Sequence, residues 1–153
     1  MGAEDQTVAE VEAGRLAGLL LRAAEITRHD VASAVTAFDL PLPLARAVIQ
    51  LDHPAPMRDL AEDLSCDRSY VTGMADGLEE RGLVQRVPGT DRRVKLLTLT
   101  DKGRALRAEL LAAVGRQSRV LNNLANDEQA ALDRLLTAML AIEPGACPLE
   151  SRL

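Results

Sequence analysis

Residues 89–95 read GTDRRVK and set Arg92, Arg93 and Lys95 around a turn-forming pair. Guanidinium and ammonium groups at that density do one kind of chemistry well, which is to bind anions; arginine does it with a planar fork that matches phosphate or carboxylate oxygens. The surroundings carry the same sign. Between Arg81 and Arg104, seven cationic residues (Arg81, Arg86, Arg92, Arg93, Lys95, Lys102 and Arg104) stand against Asp91 and Asp101, a local charge of +5. The whole chain has a formal net charge of −5, so the remainder holds −10. Such asymmetry reads either as a local anion-binding surface on an acidic body or as a solvated loop that happens to be basic.

Other chemistries find no purchase. The sequence contains no GxSxG, P-loop, HExxH or CxxC, and the carboxylate pair Glu79 and Glu80 falls on a helix face with no cleft partner. Cys66 and Cys147 lack metal-ligand spacing and read as free thiols, and His29 and His53 are unclustered. No enzyme activity, metal or cofactor is therefore expected. The chain has 153 residues, enough for one domain with a real core, and 47% of them are apolar, which excludes a disordered polymer. Phe38 and Tyr70 are the only aromatics, so Leu, Ala, Val, Ile and Met must fill the core, a composition that favours helices. No run of eighteen apolar residues occurs and MGAEDQTVAE has no basic or hydrophobic leader character, so a cytoplasmic location with no membrane partner is expected.

The elements that must position the basic segment follow from periodicity. Apolar residues from Val8 to Val31 recur every three or four positions and predict one helix over 8–37. DLPLP ends it, and Leu44, Ala47, Val48 and Leu51 form a short second helix with Pro43 in its first turn. After DHPAP, Met57, Leu60, Ala61 and Leu64 make one stripe; after SCD, Val71, Met74, Ala75 and Leu78 make another, with Asp67 as N-cap and an end at Gly82. Two short helices joined so tightly predict a helix-turn-helix. LVQRV and RVKLLTLT flank PGTD as an antiparallel hairpin, and Thr100 is the N-cap of a long helix carrying Leu106, Leu110, Val114, Leu121 and Leu124. A last helix opens at Asn126 with Gln129 at capping-box spacing.

This order describes a mainly α (α+β) fold, a winged helix-turn-helix with helices appended at both ends. The run LAEDLSCDRSYVTGMADGLEERGLVQRVPGTDRRVKLLTLTDKG, residues 60–103, resembles the core of the multiple antibiotic resistance regulator (MarR) family of bacterial transcription factors. Its LAxxL helix, VTxxxDxLExRGLVxR segment, DRR wing and LTxKG helix start occur in order and at matching spacing. The resemblance extends over about residues 8–143. It implies one integrated domain: a dimerisation helix at 1–38, a winged helix-turn-helix at 39–100, dimerisation helices at 101–143 and a tail at 144–153. It further implies a homodimer on a pseudo-palindromic duplex, with the outcome repression. Residues 8–37 and 104–143 carry more apolar stripe than one small winged helix can cover, and packing of these helices within one chain as a bundle is the alternative to a dimer.

On that resemblance Asp91 orients the wing while Arg92 and Arg93 reach the minor groove or its phosphates, with Lys95 beside them; the alternative is a surface ion pair. Taking Val71 as inward, helical stepping puts Ser69, Gly73, Asp76 and Glu80 outward with Tyr70 and Thr72 on the flanks, so Arg68, Ser69, Tyr70, Thr72 and Gly73 face the major groove. Relatives commonly carry a basic residue at positions 73 and 77, both glycine here. Either the helix sits deeper in the groove, or the wing supplies most of the binding; we prefer the second. A small lipophilic or phenolic effector would lodge near His29, Phe38 and Arg46. Cys66, before the recognition helix, is the candidate for redox sensing, against an ordinary reading as a small packed hydrophobe. The rival to DNA binding is a winged helix that docks another protein, which the acidic residues Asp76 and Glu80 would tolerate.

Overall fold

The computed structural model describes residues 3–89 and 94–141, with side chains from Thr7 onward. Asp91, Arg92, Arg93 and Cys147 lie outside the described residues. Helix α1 runs Ala3–Val35 and tightens into a 3-10 turn at Thr36–Phe38, which Asp39 ends with a φ of 45°. Pro41 then caps α2 (Leu42–Gln50), and Pro43 falls in its first turn, where a missing N–H costs nothing.

The winged helix follows. Strand β1 (Ala55–Pro56) leads into α3 (Met57–Asp63), α4 (Arg68–Glu80), the hairpin β2 (Val84–Pro88) and β3 (Lys95–Leu99), and α5 (Asp101–Gln117). The sheet is antiparallel in the order β1-β3-β2, with Ala55 opposite Leu97 and Val84 opposite Leu99. Strand β1 went unforeseen because Pro54 and Pro56 mark a break; on an edge strand a proline is tolerated. Both short helices end in the same backbone motif. At α4 the N–H of Leu83 donates to the carbonyl of Leu78 and that of Gly82 (φ 67°) to Glu79; at α3, Cys66 donates to Ala61 and Ser65 (φ 52°) to Glu62. Thr100 caps α5 as expected, accepting from the N–H of Gly103 at 3.1 Å and donating to the carbonyl of Gly82 at 2.6 Å.

Leu60, Val71, Leu78, Leu97 and Leu110 are fully buried with Val48 from α2, so the core joins the helix-turn-helix, the sheet, α2 and the first half of α5. Two sequence expectations need correction near the C-terminus. Leu121 and Leu124 are not part of α5: the chain leaves the helix at Ser118 (ψ 99°), and Leu121 sits in a separate 3-10 turn, Leu121–Asn123. Asp30 of α1 draws the chain away, its buried carboxylate accepting from the Arg119 N–H at 2.9 Å and from the Arg119 side chain at 2.8 Å. The final helix α6 (Asn126–Leu140) begins at the expected residue, but its capping box is Ala125 with Glu128 rather than Asn126 with Gln129, Glu128 reaching back to the Ala125 N–H at 2.8 Å. Gln129 instead donates to the carbonyls of Leu121 and Leu124.

Helix α1 packs on α5, but α6 buries none of its residues within the chain. Val8, Val11 and Leu21 on α1, and Leu135, Met139 and Leu140 on α6, stay exposed. A self-contained helical bundle is thereby excluded: the apolar stripes remain uncovered. Among the described residues no single helix is long and apolar enough to cross a membrane.

Candidate nucleic-acid interface

Helix α4 is anchored by Val71, Met74, Ala75 and Leu78, each 5% exposed or less, so its opposite face is held rigidly outward. Arg68, Ser69, Tyr70, Thr72 and Gly73 all lie on that exposed side at the helix start, and Tyr70 is 53% exposed. Asp67 occupies the N-cap position, but its side chain makes no capping bond; its carbonyl receives the N–H groups of Tyr70 and Val71. Thr72 donates its hydroxyl to the Arg68 carbonyl at 3.1 Å, leaving its lone pairs and methyl facing out. The two glycines differ. A β-carbon at Gly73 would meet nothing within 4 Å, whereas one at Gly77 would lie 3.7 Å from Leu44 and from the Arg81 guanidinium.

The positive charge of residues 81–104 is divided by the fold. Arg86, on β2, turns back onto α4, with its guanidinium on Asp76 at 2.6 Å and on Glu79, while its N–H donates to Glu79 at 3.3 Å. The Asp76 carboxylate, helped by the field of Glu79, pushes the Arg86 pKa above its ordinary value against desolvation, so Arg86 stays charged. Two of the three acidic residues of α4, all but Glu80, thus share one cation from within, which the sequence reading missed; the DxLExRGLVxR spacing was the available signal, since it puts Asp76 and Glu79 one helical turn apart ahead of the strand. Arg81 and Lys102 bond the carbonyls of Gly77 and Arg81, and Arg104 bonds Leu99 and Asp101. Lys95 is exposed at the start of β3 and lines a groove of about 440 Å³ with Arg68, Thr72, Val94, Pro56, Met57 and Arg58. Arg58 was not foreseen, because on α3 it looked like one polar residue beside an apolar stripe.

The MarR family model matches residues 51–95, which run from the end of α2 to the start of β3. Wild-type MarR from E. coli in its apo form superposes with a TM-score of 0.64 at 26% identity, covering 82% of this chain and 96% of that one. A MarR family protein of Mycobacterium tuberculosis, solved in complex with p-aminosalicylic acid, gives 0.65 at 29% identity over 81% and 97% of the two chains. The chain shares the fold of these MarR-family proteins and is similar to the family over residues 51–95. A MarR-family transcriptional regulator from Rhodococcus sp. RHA1 gives 0.67 at 26% identity over 83% and 93%. No curated protein sequence matches the chain.

Within this fold the residues expected around an effector are dispersed. Arg46 lines a cleft of about 130 Å³ between α1 and α2 with Thr27, Arg28, Val31 and Leu42. It also lines one of about 220 Å³ with Pro43, Leu64, Ser65, Cys66, Tyr70 and Met74. His29 is exposed on α1 and Phe38 packs against the core, and neither lines these two clefts. Cys66 is half-buried at the turn, where its backbone closes the end of α3 and its side chain packs on the core. Among the described residues no group of His, Cys, Asp and Glu could hold a metal ion.

Proposed function

We propose that the protein is a homodimeric, DNA-binding transcription regulator that acts as a repressor. Each subunit would lay α4 in the major groove through Arg68, Ser69, Tyr70, Thr72 and Gly73. The wing would enter the adjacent minor groove through Arg92 and Arg93, oriented by Asp91 and flanked by Lys95. The observation that carries this reading is the outward face at the start of α4, rigidly backed by a buried core and bordered on its β3 side by a groove that holds Arg58, Arg68 and Lys95. Phosphate contacts from arginine and lysine position a protein on a duplex, and hydroxyl, methyl and aromatic groups at the helix start supply the sequence preference. The exposed apolar residues of α1 and α6 support the dimer in this reading, since they offer area for the second subunit that pseudo-palindromic recognition needs.

Ligand response belongs to the same proposal. The M. tuberculosis relative binds an aromatic carboxylate, and Arg46 beside apolar Val31 and Leu42 would suit a small acid of that type. The cleft is smaller than the roughly 300 Å³ of an ordinary ligand site, so binding would have to open it. The protein-docking alternative loses part of its support, since Arg86 already occupies Asp76, while Glu80 stays exposed.

Selection of duplexes from a random pool, followed by a salt series, tests the proposal. We expect a two-fold symmetric site whose affinity falls steeply with salt, because several phosphates are neutralised per dimer. Arg93→Ala should weaken binding to all duplexes, while Ser69→Ala and Tyr70→Phe should change the preference among them. Retention of no duplex at low salt would refute the assignment.

A further inference from the structure

Arg58, Arg68 and Lys95 belong to the starts of α3, α4 and β3, elements separated in sequence, yet they line one groove. Pro56, Met57 and Val94 form its apolar part and Thr72 adds a hydroxyl. None of the described residues lining it is acidic, unlike the adjoining cleft along the helix-turn-helix, where Arg58 and Arg68 share the walls with Glu62 and Asp67. Arg68 and Lys95 face Arg58, which Asp59 pairs from one side only, so an anion seated in the concavity is attracted by all three cations. Arg58 is already oriented: its Nε bonds Asp59 at 2.8 Å, and the side chain remains 65% exposed. That geometry fixes the guanidinium plane without removing its outer edge from solvent.

We propose that this groove is a phosphate clamp, seating one DNA backbone phosphate where the strand passes from the major groove facing α4 to the minor groove facing the β2–β3 hairpin, with Arg58 closing it from α3. The clamp rests on the DNA-binding reading above and adds to it a residue outside both the recognition helix and the wing. Its function is register. A phosphate held between α3, α4 and β3 fixes the angle at which helix and hairpin meet the duplex, and it carries no sequence information itself.

The test is the salt dependence of duplex binding by the intact protein and by Arg58→Ala, with Arg116→Ala, exposed at the end of α5, as a control for the same loss of charge elsewhere. The clamp requires Arg58→Ala to bind every duplex about tenfold or more weakly, with the log–log salt slope shallower by about two per dimer, one phosphate per subunit. The ratio between selected and unrelated duplexes should stay within about twofold, Arg58→Lys should keep the slope, and Arg116→Ala should match the wild type. Thermal melting checks that Arg58→Ala is folded, and Arg58→Gln gives the same readout should that variant melt early. If wild type binds DNA and Arg58→Ala keeps its affinity and slope, the clamp is wrong and the DNA-binding reading stands. A change of sequence preference in Arg58→Ala also overturns the clamp, because Arg58 would then be reading a base. No binding by wild type at low salt removes both.

Discussion

Gly103 sits where the start of α5 crosses the end of the α4–β2 turn, and a β-carbon there would lie 2.0 Å from the Leu83 carbonyl oxygen. That oxygen also receives the Thr100 N–H at 3.0 Å, so it cannot retreat without breaking the junction between hairpin and helix. Gly103→Ala should therefore destabilise by about 3 kcal/mol or more, read as a fall in the urea midpoint with an unchanged slope. Gly77→Ala should act in the opposite sense and stabilise by about 1 kcal/mol, because its β-carbon meets only ordinary contacts and helix propensity improves. A sequence shows both as glycines in or near a helix. What separates them is a carbonyl twenty residues upstream in one case and a leucine methyl on another helix in the other.

At the level of elements, two ion pairs tie segments that the sequence leaves independent. Arg86 binds β2 to α4 through Asp76 and Glu79. Arg86→Ala should cost about 1–2 kcal/mol, the partners being partly exposed, and should lower duplex affinity at low salt by baring two carboxylates near the phosphates. A double-mutant cycle with Asp76→Ala should show non-additivity, and additive effects would mean that the pair is only a surface contact. Asp30 binds α1 to the α5–α6 corner, and the Arg119 N–H, with the guanidinium behind it, holds its carboxyl below the usual carboxylate range against desolvation. A depressed native pKa stabilises above the unfolded value, so this contribution is present at neutral pH and fades as pH falls through the native pKa. Melting temperatures from pH 7 to pH 3 should show the wild type's advantage over Asp30→Asn shrinking towards the acid end. Element types were largely legible because the apolar periods are strong. The boundary at Ser118 and the cap at Ala125 were not, since they depend on Asp30, far away in the chain, and on Glu128 rather than the expected Gln129. The outward face of α4 was legible from Val71 alone, whereas Arg58 entered the groove only when α3 and β3 came together.

For the whole molecule, the decisive surface is the apolar one. Leu135 and Met139 are exposed on α6, a helix that buries none of its residues in its own chain. Leu135→Glu with Met139→Glu should convert a dimer to monomers by sedimentation while the winged helix melts cooperatively on its own. Binding to a symmetric site should then fall by about 100-fold, because the second half-site no longer gains from the effective concentration that the linkage provides. Normal dimers from that variant would place the subunit contact elsewhere. The scarcity of aromatics has one more use. Tyr70 is the only tyrosine, there is no tryptophan, and it stands in the open on α4. Tyrosine emission from the unlabelled protein is therefore a one-residue optical gauge at the centre of the proposed DNA-facing surface, ready to separate quenching by a duplex from events at the far end of the molecule.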